Sequence, residues 1–135
     1  MTLSLLVDHL AADTKRVRRT LREIGGLKVV ENFSDAVDSL QDPDYDLICV
    51  TPYFDAPGGS GYGGLDLIDQ IKTPGHPHFN TPVVALLVDG FVDEDVARDR
   101  VKDYSHVHLL NVHSPDKRSV LGYQKVLLAY LTNSE

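Results

Sequence analysis

The stretch Asp46-Leu47-Ile48-Cys49-Val50-Thr51-Pro52 decides the fold, because four consecutive apolar residues stand between charged or polar neighbours. A short apolar run without polar alternation is typical of a parallel strand that is covered on both faces. Ligands of open α/β sheets bind beyond the carboxyl ends of such strands. Thr51 is therefore predicted to lie at a crevice where a functional site would form.

Similar apolar runs alternate with amphipathic segments along the whole chain. The other strand candidates are Leu3 to Val7, Leu27 to Val30, Val83 to Val88 and Val107 to Leu110. The helical faces between them are Val17, Leu21 and Ile24; Val37 and Leu40; Ile68 and Ile71; and Ala97, Val101 and Tyr104. With a fifth helix after Ser114-Pro115, the pattern predicts one doubly wound α/β domain, residues 1–135, around a five-stranded parallel sheet.

Local signals predict where the helices begin and end. Gly25-Gly26 should end the first helix, and Ser34 is placed to cap the second. The third helix is expected to begin near Gly64 and the fourth near Asp93. Pro115 suits the first turn of the fifth helix.

The composition limits the kind of partner. The chain has 13 Lys and Arg against 20 Asp and Glu, a net charge of −7, which opposes unspecific binding to nucleic acid or an anionic membrane. The single cysteine, Cys49, allows no internal disulfide and suits a reducing compartment. Apolar runs far shorter than a membrane span complete the expectation of a cytoplasmic protein with protein or small-molecule partners.

A long connection from Pro52 to Gly63 follows the central strand and is rich in glycine. It could wrap a phosphate, but it lacks the lysine and the serine or threonine that end a P-loop. A mobile insertion is the simpler interpretation. The phosphate-binding interpretation stays open as an alternative.

Most of the chain resembles the receiver domains of bacterial response regulators. The segments that carry the resemblance are Leu5 to Asp8, Tyr45 to Ile48, Gly64 to Ile68, Thr81 to Leu86 and the last helix. The resemblance implies a flavodoxin-like (βα)5 fold with strand order 2-1-3-4-5. It also implies a role in two-component signal transduction or a phosphorelay.

The same resemblance implies that the phosphorylation pocket is degenerate. Thr51 stands where receivers carry the phosphorylated aspartate, and Asp8-His9 stands where they carry a pair of acids that hold magnesium. Leu87 replaces the serine or threonine, and Asn111 the lysine, that contact the phosphoryl group. We therefore expect no bound metal, no cofactor and no enzymatic activity.

Two weaker possibilities for phosphate acceptance remain. Thr51 could be a nucleophile with His9 as base and Asp8 orienting it, but a threonine hydroxyl is a poor nucleophile without nearby cations. Asp55 could be a displaced acceptor, although it lies in the glycine-rich connection. A satisfied strand-end hydroxyl is the simpler interpretation of Thr51.

Histidines provide the remaining candidates for a chemical role. His106 and His108 are predicted to face the same way on the fifth strand, and the other histidines besides His9 are His76, His78 and His113. No cysteine or acid pair completes a metal site, so these histidines are expected to be solvated. By the resemblance, His108 also corresponds to a switching aromatic position of receivers, where an imidazole could respond to pH, although a fixed surface histidine is the simpler interpretation.

The last helix carries apolar residues on more than one side. One stripe consists of Val120, Tyr123, Leu127 and Tyr130, and Leu121 and Leu128 point elsewhere. We expect one stripe to enter the core, and Leu121 and Leu128 are a candidate interface with a signalling kinase, a regulator or a second copy. The alternative is that the helix buries a broad arc and that both sets belong to the core.

Two functions follow from these observations. The leading hypothesis is a phosphorylation-independent, receiver-like signalling domain that acts through protein–protein contacts. The alternative is a small flavodoxin-like module that binds a nucleotide or another phosphate-bearing ligand through the connection of residues 52–63. The first strand leads into His9-Leu10-Ala11-Ala12 rather than a glycine-rich loop, which weighs against the alternative.

Overall fold

A single five-stranded parallel sheet organises the computed structural model, which describes residues 2–8, 14–52, 54, 61–87 and 94–111. The strands are β1 (Thr2–Val7), β2 (Gly25–Val30), β3 (Leu47–Val50), β4 (Val83–Leu87) and β5 (Val107–Asn111). The helices of the described part are α1 (Lys15–Ile24), α2 (Phe33–Ser39), α3 (Gly63–Ile71) and α4 (Glu94–Val101). The strand order β2-β1-β3-β4-β5, with every pair parallel, confirms the predicted fold class.

The core lies on both faces of this sheet because successive strand side chains point to opposite sides. Leu5 and Val7 of β1 belong to one apolar cluster together with residues of α2, α3 and α4, whereas Leu6 belongs to a second cluster with Val17 and Leu21 of α1. All residues of β3 and β4 are buried, as the unbroken apolar runs predicted. No helix within the described ranges has the length and apolar content needed to cross a bilayer.

One predicted helix cap needs correction, and one predicted helix end is confirmed. Asn32, not Ser34, caps α2, since its side chain accepts a hydrogen bond from the backbone N–H of Asp35 at 2.8 Å. The backbone path, which the sequence pattern leaves open, decides which of these residues takes the capping position. α1 ends at Ile24 and Gly25 follows it directly, as predicted; the φ of Gly25 is 175°, which is extended, so the chain passes from helix to strand without a turn.

The end of α4 also differs from the prediction. The helix ends at Val101, so Tyr104 lies beyond it. The Tyr104 hydroxyl donates to Asp69 of α3 at 2.6 Å, and Arg100 pairs with both Asp66 and Asp69. This polar contact ties α4 to α3 at their solvent side. The predicted fifth helix, with Leu121 and Leu128, lies outside the described residues, as does His113.

Candidate functional site

The carboxyl edge of the sheet brings together most of the residues predicted to form the pocket. Val7 pairs with Val50, which places Asp8 beside Thr51 where β1 and β3 end. Leu87 pairs with Asn111 at the corresponding ends of β4 and β5. The parallel register therefore positions these residues along one edge, while His9 lies outside the described residues.

Asp8 is a buried carboxylate that is held by α1. It is only 1% exposed, and its Oδ2 accepts hydrogen bonds from the Thr14 hydroxyl and from Arg18 Nε, the latter at 2.8 Å. Arg18 Nη2 contacts the same oxygen at 2.7 Å as an ion pair without hydrogen-bond alignment. The negative charge of Asp8 is thus balanced by a guanidinium from the same chain.

Thr14 is only 6 residues after Asp8 in the sequence, so the start of α1 lies close to the end of β1. Thr14 precedes the helix, and the N–H of Arg18 donates to the Thr14 carbonyl at 3.0 Å in the first turn. Residues four positions apart lie on the same face of a helix, so both side chains can point to the end of β1. Sequence reasoning missed this pair, although Arg18 lies among several basic residues of the first helix.

Thr51 is completely buried and its hydroxyl has a partner. The hydroxyl donates to the Val7 carbonyl at 3.2 Å, and the Thr51 N–H donates to the same carbonyl at 2.9 Å. This is the satisfied strand-end hydroxyl that the sequence suggested. The hydroxyl is therefore engaged by the backbone at the end of β1.

Leu87 makes the neighbouring part of this edge apolar. Its side chain is 2% exposed and belongs to the same core cluster as Leu65 and Ala97 of the flanking helices. A leucine in this position cannot donate a hydrogen bond to an anion. Leu87 therefore contributes a buried apolar side chain to this edge.

The donor set at this edge fits a divalent cation poorly. A magnesium ion needs several hard oxygen ligands in octahedral geometry. Asp8 Oδ2 is already taken by Arg18 and Thr14, so a cation there would first have to displace the guanidinium. Within the described ranges, no group of three or more His, Cys, Asp and Glu side chains could hold a metal ion.

The connection after β3 is fixed at its two ends. The N–H of Gly63 donates to the Phe54 carbonyl at 2.8 Å, and the N–H of Gly64 donates to the Pro52 carbonyl at 3.0 Å. The Phe54 side chain is 5% exposed and joins the core. Most residues between these ends, including Asp55, lie outside the described ranges, so the phosphate-binding alternative stays a prediction.

His78 contradicts the expectation that the loop histidines are solvated. Its side chain is fully buried, with Nε2 2.6 Å from the Asp42 carbonyl and Nδ1 3.0 Å from the Thr81 hydroxyl. Because a carbonyl can only accept, Nε2 carries a proton and donates it to the Asp42 carbonyl. His78 therefore links the segment before β3 to the segment before β4.

Lys72 is a second buried polar residue that the sequence did not indicate. Its ammonium donates to the carbonyls of Phe79 and Thr81, each at 2.9 Å, and burial lowers the pKa of Lys72 to about 8. Lys72 and His78 lie at the amino edge of the sheet, opposite the candidate site. No periodic pattern marks either residue, so no sequence signal could have found them.

The predicted pairing of His106 and His108 on one strand is wrong. His106 precedes β5 and has a φ of 61°, whereas His108 lies within the strand opposite Val84. The turn at His106 breaks the alternation that the prediction assumed. Burial lowers the pKa of His108, and the nearby charges of His106 and Lys72 lower it further.

The free energy of unfolding is expected to fall as the pH falls from about 7.5 to about 5.5. Burial holds the pKa values of His76 and His108 below the ordinary value of 6.5, so the unfolded chain binds protons first. Well above pH 6.5 both histidines are neutral in the folded and in the unfolded chain, so their contribution to the pH dependence of stability vanishes. His76 Nδ1 also accepts the N–H of His78 at 3.0 Å, and protonation there would remove the acceptor.

The variant His76→Asn tests this origin, because the amide oxygen keeps an acceptor near Nδ1 but does not titrate. Urea unfolding across this pH range should show that the variant takes up fewer protons on unfolding than the unmodified protein, by a fraction of one proton. An identical pH dependence in the two proteins would contradict the assignment.

Comparison with known proteins gives a likeness in fold. No protein-family model matches the chain, and no curated protein matches it in sequence. Solved structures do match: the response regulator CheY4 of Vibrio cholerae has a TM-score of 0.70 and 17% identity, over 96% of this chain and 98% of that one. The chain thus has the fold of a receiver domain.

Two further structures extend this likeness. NtrX of Brucella abortus, solved with ADP, has a TM-score of 0.75 and 19% identity over 99% of this chain, but the chain spans only 28% of NtrX. The receiver domain of a Pseudomonas aeruginosa sensor histidine kinase has a TM-score of 0.68 and 17% identity, over 97% of this chain and 98% of that domain. That structure has a magnesium ion coordinated in its active-site cleft.

Proposed function

We propose that this protein is a receiver-like signalling domain that works without phosphorylation, through contacts with other proteins. The observation that carries the proposal is the Arg18 guanidinium on Asp8 at the end of β1. The resemblance to receivers places a magnesium ligand at Asp8. Here a permanent positive charge of the chain takes the place of that ion.

The other residues of the edge support the same proposal. Phosphoryl transfer depends on cations that neutralise the developing charge and on a nucleophile that is oriented for attack. Thr51 donates its hydroxyl to the Val7 carbonyl, and Leu87 offers no hydrogen bond to a phosphoryl oxygen. An edge built in this way has little means of accepting or sensing a phosphoryl group.

A domain of this kind acts as a binding module and not as an enzyme. The net charge of −7 favours protein partners over nucleic acid and anionic membranes. We propose a signalling kinase, a regulator or a second copy of the chain as the partner, in a two-component pathway. The likeness of fold to response regulators supports this assignment of pathway class.

An amide NMR titration tests the proposal, first with magnesium and then with beryllofluoride, which mimics an acyl phosphate. We expect no saturable shifts at Asp8, Thr51 or Leu87 in a well-dispersed spectrum. A receiver that carries the acceptor aspartate serves as the positive control under the same conditions. Saturable shifts clustered at these three residues would show that a phosphoryl site survives and would overturn the proposal.

A further inference from the structure

Positive and negative charges are separated along this chain. Six of the 13 Lys and Arg residues lie between Lys15 and Lys28, with Glu23 as the only acidic residue of that segment. Between Val29 and Ile71 there are nine Asp and Glu residues and no Lys, Arg or His. Such a distribution concentrates opposite charges on different surfaces of the fold.

The positive charges form a stripe on α1. Lys15, Arg19 and Arg22 are spaced four and three residues apart and are all exposed, on the side of the helix away from the buried Val17 and Leu21. No ion pair of the described residues involves any of the three. We call these three side chains the basic surface.

This arrangement costs stability in an isolated domain. Like charges three and four positions apart on a helix repel one another, and Lys15 adds a cation to the first turn, where the helix dipole favours an anion. That turn has no acidic residue. Unfavourable charge interactions that nothing else in the fold offsets are typical of a surface that serves binding.

The negative charges form a second exposed surface around α2. Its members extend from the end of β2 to the segment before β3: Glu31, Asp35, Asp38, Asp42, Asp44 and Asp46. None of these six carboxylates is in an ion pair with another described residue. We call this set the acidic surface.

No ion pair of the described residues joins the two surfaces. Val17 and Leu21 of α1 pack on one face of the sheet, whereas Ala36 of α2 and Leu40 pack on the other. The sheet therefore lies between α1, which carries the basic surface, and α2, which carries Asp35 and Asp38 of the acidic surface. Opposite charges on the two sides of one molecule are placed to meet when two molecules come together.

We propose that the basic surface of α1 binds the acidic surface of a second copy of this chain. The contact joins two different surfaces, so it is heterologous and leaves one unfilled surface at each end of a dimer. Assembly should then continue beyond the dimer as the concentration rises.

Three cations on a chain of net charge −7 are a poor match for nucleic acid, which favours the protein partner. The proposal requires neither a phosphoryl group nor the last helix.

Sedimentation velocity of the unmodified protein provides the first test. At about 0.05 M salt the average mass should rise with protein concentration, and at about 0.5 M salt the protein should return to a monomer, because exposed charges are screened within a few ångströms at high ionic strength. A protein that stays monomeric at low salt and about millimolar concentration would overturn the proposal. The basic surface would then be left for a different acidic partner.

Paired variants test which surfaces meet. Arg19→Gln/Arg22→Gln neutralises part of the basic surface, and Asp38→Asn/Asp44→Asn part of the acidic surface, without removing a hydrogen bond of the described side chains. Each double variant should weaken self-association about tenfold, since each removes two cross-surface ion pairs. Mixing the two should restore one intact contact and give a 1:1 complex that does not grow.

Matched control variants carry the same change in net charge on α4 and just beyond it. Arg98→Gln/Lys102→Gln and Asp95→Asn/Asp103→Asn alter exposed residues there and should leave self-association unchanged. If the controls weaken association as much as the test variants, net charge alone governs it and the proposed contact is wrong. A mixture that stays monomeric would contradict it as well.

Discussion

Replacing Arg18 with methionine is expected to lower the free energy of unfolding by about 3–5 kcal/mol, the typical cost of removing one partner of a buried ion pair. The Asp8 side chain has no exposed surface, and the Arg18 side chain is 19% exposed. Methionine keeps much of the apolar stem of arginine but leaves the Asp8 carboxylate without its cation. Urea unfolding at neutral pH measures the loss.

Arg19→Met is the matched control, because it makes the same chemical change one position along the helix. Arg19 is exposed and has no ion pair within the described residues, so this variant should change the free energy of unfolding by no more than about 0.5 kcal/mol. The double variant Asp8→Asn/Arg18→Met should be more stable than Arg18→Met alone, because no charge remains buried. Equal losses from Arg18→Met and Arg19→Met would contradict the buried pair.

Magnesium provides a second measurement on Arg18→Met. The guanidinium no longer competes for Asp8 in this variant, but one carboxylate falls short of the several oxygen ligands that magnesium needs. A ligand that binds only the folded state raises stability with its concentration, so magnesium should raise the stability of neither Arg18→Met nor the unmodified protein. A magnesium-dependent rise in the stability of Arg18→Met would show that this edge can hold the ion once the guanidinium is removed.

Replacing Gly64 with alanine should also have a large effect, about 3 kcal/mol or more, because it forces backbone segments apart. A Cβ at this position would lie 2.2 Å from the Thr51 carbonyl oxygen and 2.6 Å from Pro52 Cα. Neither atom is the flexible end of a side chain, so the clash cannot be relieved by a rotamer change. The start of α3 would have to move away from the end of β3.

Gly61→Ala is the natural control for this prediction. A Cβ there would meet no atom of the described residues within 4 Å, so the change should be nearly neutral or slightly stabilising. Thermal or urea unfolding of the two variants measures the difference. Similar stabilities for Gly61→Ala and Gly64→Ala would show that the approach of α3 to β3 is looser than the structure has it.

The order of apolar runs was enough to determine the fold class. β3, for example, occupies Leu47–Val50, as its four apolar residues predicted, and it is buried on both faces. Alternation of such runs with amphipathic segments leaves few arrangements other than a doubly wound parallel sheet. The strand order came from the resemblance to receivers and was confirmed by the strand pairing.

Positions of individual residues within elements were less predictable. Asn32 and Ser34 are both suitable caps by residue type, and only the backbone path places Asn32 at the start of α2. His106 fits a strand by spacing, yet its φ of 61° puts it in a turn before β5. In such cases the residue type indicates which residues could take a position, and the backbone geometry decides which residue does.

For the candidate site, the sequence by itself determined the residue types Thr51, Leu87 and Asn111, which the resemblance to receivers predicts to stand in place of an acceptor aspartate, a hydroxyl and a lysine. Only the tertiary structure decided that Arg18 neutralises Asp8 and that His78 and Lys72 are buried at the opposite edge. A residue type is visible in the sequence, but its partner depends on which segments the fold brings together. The partners of long polar side chains are therefore the feature that is hardest to predict from a sequence pattern.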